Sequence, residues 1–311
     1  MSVTQAANTP GSPSSAAPSS RLGRSGSDFL YTFHAMATPC EVRLETEDAA
    51  LADAARHVAE TEARRIEQKF SRYRSDSVVG RINASGGKEM VVDAETTHLL
   101  DFAAQCFKVS NGLFDVTSGV LRRIWRFDGS DRIPTDAQVK SLRPLIGWQK
   151  VSWKPPTVML PAGMEIDLGG LAKEYAVDKA LAAVREITRQ PALVNFGGDL
   201  RVSGPRKYGT RWKVVIESVD KNGKMAGMLE LADGALATSG DARRFLLKDG
   251  VRYGHILNPR TGWPVEHAPR SVTVAAATCV EAGMTATLAM LQGKRAEAFL
   301  KREGMRAWCI R

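Results

Sequence analysis

The chain has 311 residues, 43% hydrophobic and 25% charged, with a formal net charge of +9 and a pI near 9.5. That balance suits a folded globular protein with a sizeable core; no apolar run is long enough for a membrane span, and the N-terminus lacks the pattern of a signal peptide. The positive charge is spread out, with short clusters such as Arg122-Arg123 and no nucleic-acid-binding motif, so it reads as a solvated basic surface.

Residues 1–28 are rich in Ser, Ala, Pro and Gly and read as a disordered tail ahead of one folded domain, 29–311. Residues 33–44 alternate toward a strand. Leu51, Ala55, Val58, Glu62, Ile66 and Phe70 then step at three or four residues, which predicts a long amphipathic helix. A second helix is expected over 94–111, stopped by Asn111-Gly112, and a short one over 136–143. Strands joined by proline turns follow over 151–167, then a clear helix over 171–187. Short strands are expected at 192–196, 211–218 and 272–277, and a final helix pair at 281–292 and 296–302. Helices and strands mix without strict alternation, which predicts an α+β fold with mixed sheets and packed helices. Cys40, Cys106, Cys279 and Cys309 are too far apart for a CxxC pair and read as neutral thiols.

Four segments carry candidate chemistry. In IDLGGLAKEYAVDKA (166–180) a strand ending near Asp167 meets Gly169-Gly170, and a helix begins with Lys173 in its first turn; free amides and the helix dipole suit an anion there. The same spacing also fits a tight turn with an exposed lysine. NFGGDL (195–200) and ATSGDARR (237–244) suit phosphate or simple turns. GHILNPRTG (254–262) holds His255 beside an Asn-Pro turn, where an imidazole either moves a proton or serves structure. No dinucleotide fingerprint, P-loop, nucleophile elbow or zinc-protease motif is present.

Taken in order, these segments resemble the ApbE family of FAD:protein FMN transferases. The resemblance is carried by HAMATPCEVRL, FSRYRSDSVVGRIN, NGLFDVTSGVL with the following IWRF, LIGWQKV, IDLGGLAKEYAVDKA, LVNFGGDLRV, ATSGDARRF, HILNPRTGWPV and VTVAAATCVEAGMTATLAMLQG, spanning about residues 31–293. It implies an ApbE-like domain that binds FAD with Mg2+, cleaves the pyrophosphate, and joins FMN to a threonine (or serine) of a target flavoprotein, releasing AMP. By the same resemblance Met36, Tyr73, Leu113, Phe114, Asp115, Asp167, Lys173 and Ile256 contact FAD, with 113–115 on the adenine side, and His255 is catalytic. The metal would be held by Thr287 and a backbone carbonyl near Gly170.

The family's usual metal-binding aspartate is replaced here by Gly283, and Glu174 stands where a glycine is usual. Glu281 points to the other side of its helix, and Glu174 reads either as a displaced metal ligand or, in the ordinary case, as an exposed helix residue. Two alternatives therefore stay open: an FAD pyrophosphatase yielding FMN and AMP, and a non-catalytic FAD-binding protein. On this reading Gly283→Asp alone should raise magnesium affinity. The N-terminus implies a cytoplasmic protein, with periplasmic as the alternative because family members are often exported.

Overall fold

The computed structural model describes residues 21–25, 28–217, 225–241 and 244–311. β1 (Arg21–Ser25), β2 (Asp28–Ala35) and β3 (Thr38–Glu45) form an antiparallel meander. Strand β1 and the first residue of β2 thus occupy part of the expected tail, whose remaining residues, 1–20 and 26–27, lie outside the described residues. The β2–β3 turn runs through Met36 and Ala37, with φ of 55° and 58°, the left-handed pair that a tight hairpin needs.

Helix α1 (Ala49–Phe70) starts where Asp48 accepts hydrogen bonds from the Ala50 and Leu51 amides. It buries Ala52, Ala55, Ala59, Ala63, Ile66 and Phe70, a small-residue stripe that lets another helix approach closely. Then come α2 (Val78–Asn83), β4 (Glu89–Val91) and α3 (Ala94–Val109), the last capped by Asp93 and ended by Asn111 and Gly112 at φ of 51° and 76°. Glu95, in the first turn of α3, ties three helices together. It accepts from Arg65 at 2.6 and 2.8 Å, from Lys69 at 2.6 Å and from the Tyr175 hydroxyl at 3.0 Å. Those bonds, with Arg65 foremost, hold its carboxyl down to about 2.

A 3-10 stretch, Val116–Arg123, leads to α4 (Asp136–Leu142), whose start carries a Thr135–Gln138 capping box. β5 (Ser152–Lys154) and β6 (Thr157–Met159) join β4 in a small sheet, and α5 (Ala172–Ile187) follows. The remaining strands are β7 (Ala192–Phe196), β8 (Asp199–Val202), β9 (Trp212–Glu217), β10 (Met225–Leu231), β11 (Gly234–Gly240), β12 (Phe245–Lys248), β13 (Val251–Gly254) and β14 (Ser271–Ala276). Helices α6 (Cys279–Leu291) and α7 (Ala296–Arg302) and strand β15 (Arg306–Ile310) complete the chain.

The main sheet has eight strands in the order β1-β2-β3-β7-β8-β11-β14-β15, with every neighbouring pair antiparallel. Side chains alternate across it. Val194, Phe196, Ala235, Ala237, Val272 and Val274 join the core with α1, α5 and α6, while Leu193 and Leu236 face the other way and pack with Trp212 of the β9–β10 ribbon. This is the α+β architecture that the sequence implies, and it brings the strand-to-helix turn before α5 and the first turns of α6 to the same end of the sheet. Among the described residues no helix is long and apolar enough to cross a membrane.

Candidate active site

Asp167 ends an extended segment and fixes the turn into α5: its Oδ1 accepts from the Gly169 amide at 2.8 Å, and its own amide donates to the Val116 carbonyl at 2.8 Å. Gly169 and Gly170 are exposed. Among the described residues no side chain caps α5, so the amides of its first turn carry the unbalanced positive end of a sixteen-residue helix. Lys173 projects from that turn and pairs with Asp199, which is 1% exposed. Burial works to lower the Lys173 pKa, but Asp199 and then Glu174 outweigh it and raise it.

Asp199 is delivered by the β7–β8 turn, where Gly197 and Gly198 have φ of 65° and 101°. A side chain at 197 would collide with Thr38, 2.0 Å from its hydroxyl, so only glycine lets the β2–β3 hairpin rest on this turn. Asp199 Oδ1 accepts from the Thr238 amide at 2.9 Å, and next along β11 Ser239 accepts a hydrogen bond from the Thr287 hydroxyl at 3.3 Å. Thus α5, β8, β11 and α6 converge on one polar centre.

Glu174 corrects the sequence reading. It is buried, 8% exposed, and lies against Gly283 of α6: an ideal Cβ at 283 would sit 2.5 Å from Glu174 Cγ and 2.8 Å from Oε1. Gly283→Asp alone therefore has no room, and the expected gain in magnesium affinity does not follow. Burial, then repulsion from Asp199, pushes the Glu174 carboxyl above the ordinary range against the pull of Lys173.

The other predicted residues sit on several separate elements. Met36 donates its amide to Glu67 Oε1 at 2.8 Å, which fastens the hairpin tip to the end of α1. Just beyond α1, Arg72 pairs with Asp167, donates to the Tyr73 hydroxyl at 2.8 Å, and lies 4.9 Å from the Tyr73 ring centre. Tyr73 itself is 77% exposed. Phe114 packs beneath Gly170, its ring 3.9 Å from where a Cβ at 170 would stand, and Leu113 is half-buried beside the core. Asp115 points inward: it accepts from the Thr117 amide at 2.9 Å and hydroxyl at 2.6 Å, and from the Trp148 amide at 3.1 Å. Both its oxygens are engaged within the protein, and burial raises its carboxyl.

His255 is held by a separate aromatic cluster. Trp125 stacks on Phe127 at 5.6 Å and meets Trp263 edge-on at 5.3 Å, and the Phe127 ring is 6.2 Å from the imidazole. His255 Nδ1 is buried without a hydrogen-bond partner among the described residues. Burial, reinforced by Arg244, lowers the imidazole to about 4, so it is neutral at pH 7. Ile256 packs against the main core and accepts from the Val265 amide through its carbonyl.

The sequence reading passed over Arg72, Asp199 and Ser239 as partners in the site. The first adjoins Tyr73 in SRYRSD and the second closes GGD, so both stood inside motifs already singled out. It also passed over an open cleft of about 910 Å³. Lys108, Lys140, Arg143 and Arg260 line that cleft, which reaches Asp115 and Gly112. These cations come from three segments far apart in sequence, Lys140 and Arg143 sharing one, and carry no local signature.

Among the described residues no group of three or more His, Cys, Asp or Glu side chains forms a metal cage. A hard cation such as magnesium needs few protein ligands, all oxygen. Glu174, which lies against Gly283, and Thr287, one turn onward on α6 and bonded to Ser239, are oxygen donors of the type that ion takes, so the donor chemistry at the α5–α6 contact fits it. The ApbE family model matches residues 36–309.

The chain belongs to the ApbE family. It is 32% identical over 237 residues to the FAD:protein FMN transferase of Vibrio cholerae, covering 74% of this chain and 70% of that one. Identity to the FAD:protein FMN transferase of Treponema pallidum is 31% over 288 residues, 86% of this chain and 79% of that one. Among solved structures, the ApbE protein of Thermotoga maritima aligns with a TM-score of 0.83 at 29% identity, covering 91% of this chain and 94% of that chain. The flavin transferase ApbE of Vibrio cholerae gives 0.80 at 26%, covering 91% and 93%. The ApbE match takes in every predicted site residue from Met36 to Thr287.

Proposed function

We propose that this chain is an FAD:protein FMN transferase, moving FMN from FAD to a threonine or serine hydroxyl of a flavoprotein with release of AMP. The observation that carries this reading is the uncapped start of α5 beside Lys173, on a chain matched by the ApbE model over 36–309. The amides of α5 and the Lys173 ammonium receive the pyrophosphate. Tyr73, held by Arg72 with most of its ring exposed, offers a stacking face to the flavin, and Met36 and Ile256 add apolar contact. Phe114 and Leu113 lie toward the adenine half, and the basic cleft beside them has the charge to receive AMP.

Transfer forms a bond from the acceptor oxygen to the FMN-side phosphorus and breaks the bond from that phosphorus to the bridging oxygen, which leaves on AMP. The hydroxyl loses its proton as the bond forms. His255, neutral at pH 7 and with Nδ1 unpartnered among the described residues, accepts it. Thr287 and the carbonyl near Gly170 would hold Mg2+, which when bound would neutralise charge on the phosphate oxygens.

The test incubates the purified protein with FAD, Mg2+ and a flavoprotein domain carrying an acceptor threonine, and reads both protein mass and free nucleotides. Covalent FMN on the domain with AMP released supports the reading. Free FMN and AMP without labelling would replace it with hydrolysis, and intact bound FAD with a binding role.

A further inference from the structure

Asp178 clamps α6 to α5. It accepts from the Cys279 and Val280 amides at 2.9 and 3.0 Å and from Arg201 at 2.9 Å. One turn back along α5 stands Glu174, and one turn onward along α6 stands Gly283. The clamp therefore sets these two positions face to face, and the Glu174 side chain fills the volume into which a side chain at 283 would project. Thr287 follows on the same face of α6 after one further turn.

Three carboxylates gather at this junction, but their partners differ. Asp178 has its two amides and Arg201, and Asp199 has Lys173 and the Thr238 amide. Glu174 Oε2 is buried with no hydrogen-bond partner among the described residues. A buried carboxylate oxygen left without a donor is unfavourable, and a proton or a bound cation would complete it. We propose that Glu174 is the carboxylate ligand of the divalent cation, reaching across from α5 into the gap at Gly283, with Thr287 beside it as a hydroxyl ligand. The glycine on α6 and the glutamate on α5 are then one compensated exchange, in which the negative charge has moved from one helix to its neighbour. The presence of a cation rests on the transferase reading; the identity of its ligand rests on the helix contact.

The test uses the whole purified chain, stripped of metal, titrated with Mn2+ and read as free Mn2+ by electron paramagnetic resonance, with no acceptor present. The wild type should bind Mn2+, and Glu174→Gln should bind about tenfold or more weakly while keeping its melting temperature. Gly283→Asp alone should melt lower, because residue 283 and Glu174 compete for one space. The double variant Glu174→Gly with Gly283→Asp should regain Mn2+ affinity to within roughly threefold of wild type. Wild-type affinity in Glu174→Gln, no Mn2+ binding by the wild type, or a folded double variant that binds none would each overturn the assignment. If Glu174→Gln does not fold, the double variant decides. Mn2+ binding through Glu174 with no FMN transfer would instead sink the transferase reading alone.

Discussion

Replacing His255 with asparagine removes an imidazole that burial lowers from an ordinary 6.5 to about 4. A histidine with a depressed folded-state pKa contributes stability that is fully present above the unfolded value and fades as pH falls through the folded one. The window is therefore pH 6.5 to 4. A shift of roughly 2.5 units corresponds to about 3 kcal/mol in full, of which about 2 kcal/mol is already lost at pH 5. Urea midpoints of wild type and His255→Asn at pH 7 and pH 5 measure this directly, because the wild type should lose that much more stability than the variant on acidification. Imidazole NMR adds the site itself: the signal missing in His255→Asn should titrate near 4 in the wild type. A midpoint near 6.5 for that signal, or equal pH slopes for the two proteins, would refute both the burial argument and the neutral proton acceptor built on it.

Asp115→Ala leaves the amides of Thr117 and Trp148 without their buried acceptor and should cost about 3 kcal/mol in urea unfolding; a change below about 1 kcal/mol would mean that those bonds do not hold the segment. Glu95→Gln should destabilise the fold by about 1–2 kcal/mol at pH 7 by weakening its bonds to Arg65 and Lys69. Because the Glu95 carboxyl is depressed, that stability is present above pH 4.5 and lost toward about 2, so the two melting curves should converge across that window.

The long helices were legible because each buries one stripe: α1 and α5 lie within two residues of their expected starts, and β7 and α7 match residue for residue. Strand β15 was not, because RAWCI is too short to show a period and its partner β14 lies well upstream. Asp167 and Lys173 stood out as types at a spacing, whereas Met36, Tyr73 and 113–115 came from the resemblance to the ApbE family, and the ties of none of them were legible. Nothing local says that Arg72 pairs with Asp167 or that Asp115 faces inward. Glu174 is the sharpest case. A glutamate on a helix reads as solvated, and its burial goes with a missing side chain on a helix about a hundred residues further along the chain, which no periodicity within α5 records.

Strand β3 finds its second neighbour, β7, only after the chain has run from Glu41 to Asn195, a separation of 154 residues. At roughly 5–20 residues per second, synthesis needs about 10–30 s to supply that partner. During that interval the β2–β3 ribbon presents an open edge bearing Val42 and Leu44, the kind of template that pairs with other chains. Folding of the central sheet is therefore a late event governed by contacts remote in sequence. The helix with Thr287 is made later still, well after β7, so a nascent chain cannot assemble the pocket around the Met36 hairpin tip piecemeal, and prompt shielding of the early ribbon should govern how much finished protein a cell recovers.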